Sequence, residues 1–141
     1  MNQKYNCVIG IDPGVSTGFA VWLPSLQKLS LVGTFGIIEA IEWVVKHNTL
    51  YGNILVRIEN PNLRKWFGNT GREKLQGAGS IKRDYSIWKG FFEKADINYQ
   101  DVAPRSIKTK VSADYFRKLT GWEGRTSSHA RDAAMMVYGY K

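Results

Sequence analysis

The chain has 141 residues, 43% hydrophobic and 23% charged, with 20 Lys and Arg against 12 Asp and Glu and a formal net charge of +8. This profile predicts one globular domain over residues 1–141, with no room for a second of ordinary size. No apolar run reaches the ~20 residues a membrane-spanning helix needs, and the opening MNQKYNCVIGIDPG carries no cationic segment followed by a cleavable apolar one, so the protein is expected to be intracellular.

Tyr5 to Ile11 is a short apolar, β-branched run stopped by Asp12-Pro13-Gly14, and predicts a buried strand ending in a turn. Cys7, the single cysteine, lies inside that run and reads as a buried small hydrophobe in a reducing compartment rather than a reactive thiol. Thr17 to Leu23 is a second strand, closed by Pro24-Ser25. Lys28 to Phe35 alternates polar and apolar residues, as a strand with one solvated face does. Connections this short predict an antiparallel meander. From Ile37 the period changes: Ile37, Ile38, Ile41, Val44 and Val45 oppose Glu39, Glu42 and Lys46, which predicts an amphipathic helix to Leu50. Asn53 to Glu59 is a fourth strand, ended by Asn60-Pro61, and a basic loop follows over 62–72. A long helix is predicted from Glu73 to Ala95 despite Gly77 and Gly79, each costing ~1 kcal/mol in a helix interior. Ile97 to Val102 is a fifth strand, and helices follow over Arg105 to Leu119 and Ser128 to Tyr140. The order β-β-β-α-β-α-β-α-α predicts an α/β domain with one five-stranded mixed sheet flanked by helices.

Charge is unevenly placed. Residues 1–56 net zero, whereas 57–131 hold 16 basic and 8 acidic residues and so account for the whole excess. A basic half that also carries Trp66, Phe67, Tyr85, Trp88 and Trp122 points to a polyanion with unstacked bases, most simply nucleic acid; the plainer reading is a solvated surface over core aromatics.

Three acidic residues stand where carboxylates are costly. Asp12 and Glu59 end the two most apolar strands, and Asp132 lies in a helix whose following residues are nearly all apolar. Such carboxylates need pairing or a metal ion. If the two strands are neighbours, Asp12 and Glu59 project from one edge of the sheet, and the last helix can bring Asp132 there with His129, three residues earlier on the same helical face. Converging carboxylates suit Mg²⁺ or Mn²⁺, and a pair of ions ~3.5–4 Å apart activates water against a phosphodiester. Asp12, Glu59, His129 and Asp132 are therefore the candidate catalytic and metal-binding set, with His129 either a ligand or a general base. Each has a plainer role as well: a turn start for Asp12, a surface pair with Arg57 or Arg64 for Glu59, a helix-dipole contact for Asp132, and an ordinary first-turn residue at 129.

GIDPGVSTGFAVW at 10–22, RIENP at 57–61 and HARDAA at 129–134 together resemble the RuvC-type Holliday junction resolvases of the ribonuclease H-like superfamily. Asp12, Gly14, Thr17 and Gly18 fall on the family's opening motif, Glu59 on its lone strand-end Glu, and His129 and Asp132 on the acidic pair of its final helix, where some members also carry His. VAPRSIKTKV at 102–111 resembles the segment before the last helices, with Lys108 matching a basic residue of the DNA face, and the helix with Gly77 and Gly79 resembles one shaping that face and the dimer contact. The following VSADYFRKLTGWEG is shorter than usual and leaves the family's next lysine unassigned, with Arg117 and Lys118 as candidates; the compact length is closer to phage-encoded members.

The resemblance implies a ribonuclease H-like fold and a metal-dependent endodeoxyribonuclease, working in a bacterial cytoplasm or a phage-infected host. It implies two Mg²⁺ ions per site, with Mn²⁺ as a substitute, and resolution of four-way junctions by paired symmetric nicks. The substrate's two-fold symmetry then calls for a homodimer. Candidate DNA contacts are Arg64, Lys65, Trp66, Phe67, Arg72, Lys74, Lys82, Arg83, Arg105, Lys108 and Lys110. Trp66 and Phe67 read either as wedges against unpaired bases or as a loop folded back on the core. The apolar residues of the long helix (Ile81, Tyr85, Trp88, Phe91, Phe92) read either as core or as part of a dimer contact. Two other functions share these residues: a ribonuclease H-like nuclease acting on RNA–DNA hybrid or flaps, and a non-catalytic nucleic-acid-binding module.

Overall fold

The structure is a computed structural model that describes residues 4–63, 72–104 and 111–141, and the side chains of all of these except 72–78. Strands β1 (Cys7–Asp12), β2 (Thr17–Leu23) and β3 (Lys28–Phe35) form an antiparallel meander. Helix α1 (Ile37–Tyr51) crosses to β4 (Ile54–Glu59), which pairs parallel with β1. Helix α2 (Arg72–Ala95) crosses to β5 (Asn98–Val102), parallel to β4. Helices α3 (Ala113–Thr120) and α4 (Ser128–Met135) follow, and the sheet order is β3-β2-β1-β4-β5.

Strand alternation divides the interior into two cores. Ile9, Ile11, Phe19, Val21, Val56 and Ile58 point to the face covered by α1 and α2, through Ala40, Val44, Tyr85, Trp88 and Phe92. Val8, Ala20, Trp22, Leu55 and Val102 point to the opposite face, covered by Phe116 of α3 and by Ala130, Ala133 and Ala134 of α4. With helices on both faces, β1 and β2 are buried throughout, as their unbroken apolar runs require. β3, at the sheet edge, keeps the alternation of a half-solvated strand. The aromatic face of α2 resolves mainly to core, since Tyr85, Trp88 and Phe92 are buried while Ile81 and Ile87 remain exposed.

Two predicted helices are shorter than expected. The one predicted over Arg105 to Leu119 begins at Ala113, because the Ser112 hydroxyl accepts the Tyr115 amide and caps it; 105–110 lie outside the described residues. The last helix ends at Met135 rather than Tyr140. The Tyr138 amide still donates to the Ala134 carbonyl, but Gly139 at φ +80° takes the chain out of the helix. The apolar spacing of Met136, Val137 and Tyr140 continues through that turn, which is why periodicity alone extends the helix.

Glycine places α4. A Cβ at Gly10 would collide with the Ala133 carbonyl, and one at Gly18 with the His129 carbonyl, so the α4 backbone lies directly against β1 and β2.

Candidate active site

The parallel register pairs Ile11 with Ile58, so Asp12 and Glu59 follow side by side as the last residues of adjacent strands. Ile11 and Ile58 face α1 and α2, so the alternation turns Asp12 and Glu59 toward α4. Gly18 is the antiparallel partner of Asp12, and the His129 backbone rests on Gly18. Here the imidazole meets the carboxylate: His129 Nδ1 lies 3.0 Å from Asp12 Oδ2. Asp12 is only 8% exposed, whereas the His129 side chain is 55% exposed. An ionised Asp12 accepts only, so a neutral His129 donates from Nδ1 and presents Nε2 as an acceptor.

The first turn of α4 is held from several sides. The Ser127 hydroxyl caps it by accepting the Ala130 amide at 3.0 Å, and it shares a 2.5 Å hydrogen bond with Thr34 on β3. Arg131 Nε donates to the Val111 carbonyl at 2.7 Å, and Nη1 donates to the Thr126 carbonyl at 2.8 Å and hydroxyl at 3.0 Å. Thr17 donates to the Gly14 carbonyl at 3.0 Å, closing the turn after Asp12. Asp132 is half-buried and lies beyond the first turn, which contains no acidic residue, so dipole compensation does not account for it. The structure thus joins His129 to Asp12, sets Glu59 beside Asp12, and carries Asp132 one turn further along α4.

Among the described residues, no group of three or more His, Cys, Asp or Glu stands close enough to hold a metal ion. The donor set, carboxylates with one imidazole, matches the chemistry of Mg²⁺ or Mn²⁺. Its geometry is a hydrogen-bonded pair with flanking carboxylates rather than a closed cage.

Of the candidate DNA contacts, Lys82 and Arg83 are exposed on α2, and Arg83 Nη2 donates to the Ser80 hydroxyl at 3.2 Å. Arg64, Lys65, Trp66, Phe67, Arg105, Lys108 and Lys110 lie outside the described residues, as do the side chains of Arg72 and Lys74. Sequence reasoning named Arg57 only as a pairing option for Glu59. Its guanidinium carbon instead lies 5.7 Å from the centre of the Tyr140 ring, and its buried Nε has no hydrogen-bond partner. Arg131 was not singled out, since its partners are backbone carbonyls brought close by the fold. Gly10 and Gly18 did carry a readable signal, glycine inside a strand, which marks close backbone approach. Away from the edge, Tyr85 donates to Asp101 Oδ1 at 2.5 Å; burial first, then the Asp101 carboxylate, holds the phenol well above its usual range. Burial likewise pushes the Cys7 thiol up to about 12.

A five-stranded mixed sheet with this meander, parallel crossovers and helices on both faces has the RuvC-type, ribonuclease H-like architecture. A solved structure sharing it is T. thermophilus RuvC in complex with Holliday junction substrate, at a TM-score of 0.55 and 17% identity over 90% of this chain and 87% of that one. No protein-family model and no curated protein sequence matches the chain.

Proposed function

We propose that the chain is a metal-dependent endonuclease that binds branched DNA, four-way junctions in particular, and resolves them by paired symmetric nicks. The observation that carries this reading is the His129–Asp12 hydrogen bond at the edge where β1 and β4 end in carboxylates. The fold supports it, being similar to that of a RuvC whose solved structure holds a Holliday junction substrate.

Asp12 and Glu59, with Asp132, would hold Mg²⁺ or Mn²⁺, and His129 is then the general base rather than a ligand. A bound ion pair there supplies charge stabilisation and a more acidic water. Asp12 accepts from His129 Nδ1 and orients the ring, and Nε2 is then the acceptor for a proton leaving the attacking water. Exposed basic residues, Lys82 and Arg83 among them, hold the phosphates, and the junction's two-fold symmetry makes the working unit a dimer.

The test is incision of a synthetic mobile four-way junction with and without Mg²⁺ or Mn²⁺, mapping the nicks on all strands. Symmetric, metal-dependent nicks are expected. Asp12→Asn is expected to lower the rate about a thousandfold, the equivalent of ~4 kcal/mol of barrier, with junction binding in Ca²⁺ retained. Normal cleavage by that variant would reject the site. The lack of a closed metal cage among the described residues favours a second reading, a non-catalytic nucleic-acid-binding module. That reading predicts no nicking of any substrate. Hybrid and flap substrates in the same panel separate the related nuclease activities.

A further inference from the structure

Arg131 lies between His129 and Asp132, yet its donors turn to backbone. Nε donates to the Val111 carbonyl at 2.7 Å, and Nη1 to the Thr126 carbonyl at 2.8 Å and hydroxyl at 3.0 Å. Both acceptors stand at junctions. Val111 follows the basic stretch 105–110 and precedes Ser112, the cap of α3. Thr126 precedes Ser127, the cap of α4. One planar guanidinium therefore ties Val111, just ahead of α3, to the start of α4. A rigid fork can serve two acceptors in different directions, which the single ammonium of a lysine does poorly. The turn so fixed is the one whose backbone rests on Gly18 and whose imidazole meets Asp12.

We propose that Arg131 is a positioning residue that ties Val111, at the approach to α3, to the turn bearing His129, and so holds the imidazole against Asp12. The cleavage readout below rests on the nuclease reading above; the coupling of Arg131 to the His129–Asp12 bond does not.

The test uses Arg131→Met, Arg131→Lys and Thr126→Val in the full chain, with two readouts. The first is the ring ¹⁵N spectrum of the metal-free protein at neutral pH. The chain has two histidines, and His47 is an internal control because its Nδ1 bonds the Trp43 carbonyl at 2.7 Å, away from this site. Arg131→Met is expected to move His129 from the Nδ1–H form toward the Nε2–H form that free imidazole prefers, with His47 unchanged. The second is single-turnover junction cleavage at saturating DNA, set against junction affinity in Ca²⁺. The saturating rate is expected to fall about tenfold or more in Arg131→Met, with affinity little changed and partial recovery in Arg131→Lys. A folded Arg131→Met with parental His129 signals and a parental saturating rate would overturn the proposal. If Arg131→Met does not fold, Arg131→Lys and Thr126→Val keep the packing and carry both readouts. If the parent nicks no DNA, the nuclease reading fails, and the His129 spectra still decide the coupling.

Discussion

Asp12 sits at 8% exposure on the end of a wholly buried strand, and a carboxylate there needs a donor within reach. His129 supplies one, and the two side chains come from opposite ends of the described chain. The adjacency of Asp12 and Glu59 was legible because acidic residues ending apolar strands break the local pattern, and the approach of His129 to Asp12 followed from placing the last helix at that edge. The pairing of Arg131 with carbonyls was not, because any residue offers a carbonyl and only the fold decides which come near. Cys7 was read as inert, and the structure agrees: it is fully buried and its thiol is pushed from 9.0 up to about 12 by burial. Since the unfolded chain releases this proton first, the Cys7 contribution is intact below pH 9 and is lost as pH rises toward 12. Tyr85, also held above its usual 10.0, acts in the same direction at higher pH. Denaturant melts of parent and Cys7→Ala from pH 8 to 11 are expected to show a shallower alkaline loss in the variant, and identical slopes would refute the assignment.

The strands were the most readable elements: β2 and β3 start and stop where the apolar run of the one and the alternation of the other do, and β1 and β4 differ by a residue or two. Helix ends were less readable where two signals competed. At α3 the Ser112 cap sets a start at Ala113 inside the predicted span, and at α4 the apolar spacing runs on through a turn that is no longer helix. Contact between α4 and the sheet depends on two positions without a side chain. Gly18→Ala would drive a Cβ into the His129 carbonyl, a backbone atom that no rotamer change relieves. The expected cost is about 1–3 kcal/mol, as for other overpacked interiors, together with loss of the His129–Asp12 bond. Melting temperature reads the first and the His129 ring signals the second. An unchanged His129 in Gly18→Ala would show that α4 is placed by something else.

The whole molecule carries its net charge of +8 in residues 57–131, where 16 basic residues outnumber 8 acidic ones, while the meander is neutral. If that half binds DNA through phosphates, affinity falls with salt, and each true phosphate contact adds ~0.9 to the log–log slope. Replacing both Lys82 and Arg83 by alanine is expected to flatten the slope by about 1.8, two contacts at ~0.9 each. A parental slope in that double variant would remove these residues from the interface. The His129–Asp12 bond spans 117 positions of sequence. On the ribosome, Asp12 emerges first and His129 only after nearly the whole basic half has been made. If the chain is the nuclease proposed above, a nascent chain gains its basic surface before its site is complete, and its chemistry is withheld until α4 docks on Gly10 and Gly18. On that reading the order of synthesis is a safety interval, in which the growing protein would touch nucleic acid without damaging it.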